Sequence, residues 1–188
     1  MQLTFGEIAF FFFLTAVTGC GISDLISRRI PHPVTMTLIG SGLIYHAVFN
    51  GRESALTVLA SAAAVFIMAY LAWKAGQMGG GDVFLLTAFA VWLGWKMTLV
   101  VVVWACLIGL PFGIVNLVRA GELRWRISAL MYGLHMKLSG IKADGMIKRL
   151  PDPGVVDAPV PAGSVPFGTF LALGLWVVLY MYAKEVIN

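Results

Sequence analysis

Apolar residues in this chain fall in long unbroken runs, not in the strict alternation of half-buried strands. Six runs stand out, at about Phe5 to Ile22, Val34 to Phe49, Leu56 to Trp73, Val83 to Trp95, Met97 to Val118 and Val165 to Ala183. They read as membrane-crossing helices, with the fourth as the weak member. Its ~13 residues reach only about 20 Å at ~1.5 Å each, short of the roughly 30 Å of hydrocarbon they would have to cross. That segment must be met by thinned lipid, sunk, or re-entrant. The pattern predicts an all-α membrane protein of about six transmembrane helices, one domain over residues 1–188. Pro31 and Pro33 suit the start of the second helix and Pro166 that of the last, while Pro111 is expected to kink the fifth.

Composition agrees with lipid as the solvent: the 188 residues are 60% hydrophobic and 12% charged, with a mean hydropathy of +0.89, against about 25% charged residues in ordinary soluble domains. The net charge of +4 raises the question of a nucleic-acid partner, and the placement of the basic residues answers it. They flank apolar runs, so no nucleic-acid partner is expected. Ten of the 13 Lys and Arg residues fall in the first, third and fifth loops: Arg28, Arg29, Lys74, Arg119, Arg124, Arg126, Lys137, Lys142, Lys148 and Arg149. Arg52, Lys96 and Lys184 are the remainder. Because positive residues collect on the cytoplasmic side, both termini are expected outside and the odd loops in the cytoplasm.

The fifth loop, residues 119–164, is long. From Glu122 to Leu150 it spaces Trp125, Leu130, Leu134, Leu138 and Ile141 three to five residues apart among basic residues, the pattern of an amphipathic helix on an anionic lipid surface. From Pro151 to Gly163 it reads as an irregular connection. Cys20 and Cys106 lie inside apolar runs without a C-x-x-C pair and read as buried thiols, not as a zinc site or disulfide. His32, His46 and His135 are scattered, so neither a metal nor a cofactor is expected. The first residues lack a basic signal region and a clear cleavage site, so the first run is expected to stay as a helix.

Under this topology the acidic residues sort sharply. Glu7, Glu53 and Glu185 fall outside, and Glu122, Asp144, Asp152 and Asp157 belong to the fifth loop. Asp24 and Asp82 remain, each at a helix end on the same side of the membrane. Asp24 follows Gly19-Cys20-Gly21-Ile22-Ser23, and Asp82 follows Met78-Gly79-Gly80-Gly81. About 58 positions separate them, but they meet if the first and fourth helices pack, and Gly19 and Gly21 would permit a close approach. Gly79, Gly80 and Gly81 bring no β-carbon, which leaves room for an extended substrate or another helix against the backbone. Two neighbouring carboxyls in a partly desolvated site share a proton instead of both ionising, the arrangement of an aspartyl protease. The structural alternatives are an N-cap role for Asp82 and an ion pair of Asp24 with Arg28.

At these residues the sequence resembles the type IV prepilin peptidase family of membrane aspartyl proteases. Ser23-Asp24 through Arg28-Arg29-Ile30-Pro31 resembles its D-x-x-x-x-x-I-P-N stretch, Gly79-Gly80-Gly81-Asp82 its G-x-G-D motif, and Val165-Pro166-Phe167-Gly168-Thr169-Phe170-Leu171-Ala172 the segment that opens its last helix. The resemblance implies cleavage of the basic leader from pilin-like precursors at the cytoplasmic face of the inner membrane, with Asp24 and Asp82 as the catalytic pair. Ile30, Pro31, His32 and the three glycines would flank the approach of the substrate. His32 stands where the family usually has Asn and Phe84 where Lys often follows, which bears on substrate contacts; His32 itself reads as a polar cap. The chain lacks the cysteine-bearing N-terminal segment of the bifunctional members and so resembles the short, peptidase-only members, without methyltransferase activity. Two other classes stay open: a signal-peptide-peptidase-like protease cutting within apolar helices, and an ion- or proton-coupled transporter or assembly subunit. Trp73, Trp92 and Trp95 read as interface anchors, and Lys74 as a flanking charge.

Overall fold

The computed structural model describes residues 4–119, 121, 128, 131 and 165–187. Among these it is all-helical: α1 (Phe5–Ser27), α2 (His32–Phe49), α3 (Gly51–Lys74), α4 (Gly80–Arg119) and α5 (Phe167–Ile187). Four of them, α1, α3, α4 and α5, are long and apolar enough to cross a membrane. The second expected span is present as the 18-residue α2, which carries His32, Pro33 and His46 among its apolar residues and does not join those four. The amphipathic helix expected over 122–150 and the connection over 151–163 lie outside the described residues, apart from positions 128 and 131.

The chain divides into two compact units, residues 1–108 with 166–188, and residues 109–165. Both aspartates belong to the first. In that unit α1 packs along α5, and α2 along α3. The α1–α5 seam is close because Gly21 faces α5: a methyl group on Gly21 would lie 2.7 Å from Cβ of Ala172. Gly19, expected to share that role, has nothing within 4 Å of such a methyl group. On its other side α5 meets α4 at Gly174, whose missing β-carbon would come 2.7 Å from the Val101 carbonyl oxygen.

The fourth and fifth expected spans form one helical run, α4, broken at Gly94, which takes φ 75° and ψ 163°. That backbone conformation is open essentially to glycine alone. Pro111, the expected kink, lies within the helix, and the non-helical residue is Gly94 instead. The part before the break is the most enclosed element of the unit: Leu85, Ala88, Phe89, Ala90 and Val91 are all fully covered. A helix apolar all round belongs inside a bundle, and this answers how so short a segment is tolerated: it is sunk among protein. Phe13 of α1 stacks on Trp92 and meets Phe89 edge-on, while the Trp92 indole N–H donates to the Leu38 carbonyl at 2.8 Å. Trp92 is therefore a tie between α2 and α4, not the interface anchor its position suggested. Elsewhere large apolar side chains such as Ile67, Leu71, Leu107, Leu110 and Trp176 stay exposed. Only 17–39% of each candidate span is buried by protein, a surface suited to lipid. Cys20 is buried as expected, but Cys106 belongs to the exposed surface.

Candidate active site

Both aspartates end up buried at helix ends, Asp24 at 7% and Asp82 at 8% exposure. Asp24 lies in the last turn of α1. That helix starts on a reciprocal cap, in which the Glu7 amide donates to Thr4 Oγ1 and the Thr4 amide to Glu7 Oε2. It stops where Arg28 turns left-handed, at φ 54°, and the Arg28 N–H donates back to the Asp24 carbonyl at 2.9 Å. Positive φ at a helix end is a common stop signal, though glycine is its usual bearer.

The Asp24 carboxyl turns towards the beginning of α5. The Thr169 N–H donates to its Oδ2 at 3.2 Å, and the Gly168 amide also bonds to it. These are orphan donors of a helix N-terminus, which favours a negative group. The Thr169 hydroxyl fixes the junction a second time by donating to the Gly21 carbonyl, one turn before Asp24, at 2.8 Å. Gly168 must be glycine here, because a methyl group on it would stand 3.1 Å from Asp24 Oδ2 and 2.7 Å from Ile30 Cδ1.

Asp82 lies in the first turn of α4. Its Oδ2 accepts from the Gly79 N–H at 3.2 Å, and its own N–H donates to the Gly79 carbonyl at 3.2 Å. This is the back-reaching half of a capping box, so Asp82 does cap its helix, from the third helical position and not as the N-cap residue. One carboxyl oxygen is thereby occupied. The other is left for chemistry.

The glycines have distinct neighbours. The space a side chain would fill is taken at Gly79 by the Asp82 carboxyl, at Gly80 by the indole of Trp73 and at Gly81 by Ile30, whose Cβ stands 2.9 Å from where a methyl group would lie. Protein side chains, not a neighbouring helix, thus lie against this strip. Ile30 is itself buried and touches both Gly81 and Gly168. It is the wedge that joins the Asp82 end of α4 to the Asp24–α5 junction. The two carboxyls are near enough for the charge of Asp24 to act on Asp82.

Pro31, half-buried, is the N-cap residue of α2 and offers no side-chain cap. His32, exposed, begins the helix, and its ring stands edge-on to Phe84 at 5.3 Å between centroids. His32 thus packs on a ring where a polar cap was expected. The two positions that depart from the family pattern touch one another. Lys74, beyond flanking the membrane, lies over the ring of Tyr70 at 5.7 Å. Sequence reasoning placed both aspartates and the Ile30–His32 turn together but missed Gly168 and Thr169 as partners of Asp24. The contribution of Thr169 to Asp24 is a backbone amide, which any residue but proline supplies.

The sequence model described as the type IV leader peptidase family matches residues 8–114, more than half of the chain and a stretch that includes Asp24 and Asp82. The chain is 29% identical over 144 residues to a prepilin leader peptidase/N-methyltransferase of Xanthomonas campestris pv. campestris, covering 72% of this chain and 48% of that protein. It is 28% identical over 123 residues to a prepilin leader peptidase/N-methyltransferase of Aeromonas salmonicida, covering 61% of this chain and 42% of that protein. The chain spans about half the length of these curated relatives or somewhat less. No solved structure matches.

Proposed function

Because the chain belongs to the type IV leader peptidase family, we propose that it is an aspartic endopeptidase that removes the basic leader from pilin-like precursors, with Asp24 and Asp82 as its catalytic pair. The observation that carries the reading is the convergence of two buried carboxyls at helix ends, each steadied by backbone N–H groups and linked through Ile30. Buried acids of a membrane protein point to function by default.

In this reading a water molecule held between the carboxyls attacks the scissile carbonyl. Asp24, which accepts from two backbone amides, is suited to carry the negative charge and takes the proton of the attacking water. Asp82 holds the shared proton and donates it to the carbonyl oxygen as the tetrahedral intermediate forms. Collapse of that intermediate breaks the C–N bond, the amine leaves with a proton, and the dyad returns to its singly protonated state. The reading places the site at the cytoplasmic face of the inner membrane, with both termini outside and the basic 119–164 segment against anionic lipid.

The test is cleavage of a pilin-like precursor by the reconstituted protein, with products read by mass spectrometry. Wild type should cut at one site, and Asp24→Asn and Asp82→Asn should each lose about 10³-fold or more in rate while remaining inserted. Substantial cleavage by either variant would falsify the dyad. A wild type that spares the precursor but cuts within an ordinary apolar signal sequence would move the assignment to another substrate class. The mass of the product also reports whether its new N-terminus is methylated.

A further inference from the structure

Trp73 lies near the end of α3, seven positions before Gly80, and belongs to no part of the dyad. A methyl group on Gly80 would lie 3.5 Å from its Nε1 and 4.0 Å from both Cδ1 and Cε2. The N–H edge of the indole, not its benzene end, therefore faces the strip that leads into Asp82. Indole N–H groups are donors only and normally find an acceptor when they are covered. In this chain Trp92 donates to the Leu38 carbonyl and Trp176 to Thr18 Oγ1. Half-buried Trp73 has no hydrogen-bond acceptor among the described residues. Trp95 and Trp104 also keep theirs, but they lie about 20 Å or more along α4 from Asp82.

Trp73 is held in place from behind. Its ring meets Tyr70 at 5.4 Å, Tyr70 stacks on Phe66 at 5.9 Å, and Phe66 reaches Phe84 at 6.2 Å, which ends the row against His32. The row fixes where the free donor sits relative to the glycines. An extended peptide brought to Asp82 offers unpaired main-chain carbonyls at ~3.3 Å intervals, all of which lose water as the site closes over them.

We infer that Trp73 is a substrate-binding residue whose indole N–H donates to a main-chain carbonyl of the precursor beside its scissile bond. The inference rests on the peptidase reading for the kind of ligand, an extended peptide, but not for the chemistry done on it. A hydrogen bond to the main chain reads no side chain, so the contact would serve precursors of differing sequence. It would set the register of the peptide over the dyad.

The experiment uses the full chain in lipid nanodiscs and a synthetic peptide with a basic leader followed by an apolar segment, alongside analogues in which one amide at a time is replaced by an ester, a weaker carbonyl acceptor. Binding is measured in the Asp24→Asn background, and cleavage with the dyad intact. Trp73→Phe, which keeps the ring and removes the N–H, should weaken binding about fivefold, the scale of one neutral hydrogen bond, and raise KM with kcat within about twofold. One ester near the scissile bond should cost the wild type a similar factor and cost Trp73→Phe nothing more. Were Trp73 only an anchor at the lipid interface, Trp73→Phe would bind every analogue as the wild type does, and the inference would be overturned. The ester series on the wild type decides the matter even if the variant inserts poorly, since the inference requires one position to be sensitive. Ester-sensitive binding without cleavage would uphold Trp73 and discard the peptidase reading, whereas cleavage indifferent to Trp73→Phe and to every ester would do the reverse. Neither binding nor cleavage would discard both.

Discussion

Ile30 is the residue on which the site geometry turns, because two glycines of different helices give it space. The contacts differ in kind, and so do their expected mutational effects. A methyl group on Gly81 would meet Cβ of Ile30 at 2.9 Å, an atom fixed to the backbone, whereas one on Gly168 would meet the terminal Cδ1 at 2.7 Å. Gly81→Ala and Gly168→Ala are each expected to cost about 1–3 kcal/mol of stability through overpacking and to lower cleavage markedly. Ile30→Val, which lacks Cδ1, should partly restore Gly168→Ala but leave Gly81→Ala unrelieved. Measurement of kcat/KM and detergent thermal midpoints on the single and double variants decides this, and equal rescue of both would refute the wedge. At Thr169, loss of the hydroxyl bond to the Gly21 carbonyl in Thr169→Val should cost about 1 kcal/mol and slow kcat severalfold with KM unchanged, and Thr169→Ser should restore it. The two aspartates were legible in the sequence because each is a lone acid beside an apolar run. Their partners were not, since backbone amides carry no residue signature and a wedge between distant glycines is visible only once the helices have packed.

At the scale of elements, the informative feature is the break in α4. Forty helical residues would span about 60 Å, twice the hydrocarbon thickness, so one straight crossing is excluded by length alone. Gly94 divides the run into an enclosed part that carries Asp82 and a longer part exposed on its flank at Leu99, Val100, Val103 and Leu107. Because φ 75° with ψ 163° suits only glycine, Gly94→Ala should destabilise by about 1–3 kcal/mol. A fall in thermal midpoint with no loss of membrane insertion is the expected result, and an unchanged midpoint would show that the break is dispensable. The sequence pattern recorded this division as two apolar runs meeting near Trp95 and Lys96, and it recorded the shortness of the first. It did not record why shortness is tolerated. That answer lies in the burial of Leu85 and of residues 88–91, which depends on what the other helices bring to that position. The same pattern favoured Pro111 as the kink, a residue-level preference that the helix absorbs while a glycine 17 positions earlier takes the bend.

For the molecule as a whole, the side on which each helix connection lies is set by charge placement and by helix length, which act separately. Charge placement puts ten of 13 basic residues on one side if six segments cross in alternation. Helix length requires that the chain turn back or bend at Gly94. Together they place Gln77, in the connection before α4, on the same side as both aspartates, and Lys96, just past the break, on the other. Single-cysteine labelling tests this. Cys106 is exposed and must be replaced to remove background, whereas Cys20 is buried and its removal is a second control. In a Cys106→Ala background, Gln77→Cys should react with a membrane-impermeant maleimide only after the cytoplasmic side is opened, and Lys96→Cys should react in intact cells. If both react from the inside, the enclosed part of α4 enters and leaves by the same face. The dyad would keep its side, because Asp24 and Asp82 are joined through Ile30 whatever the far end of α4 does, but the orientation of every element after Gly94 would have to be reversed.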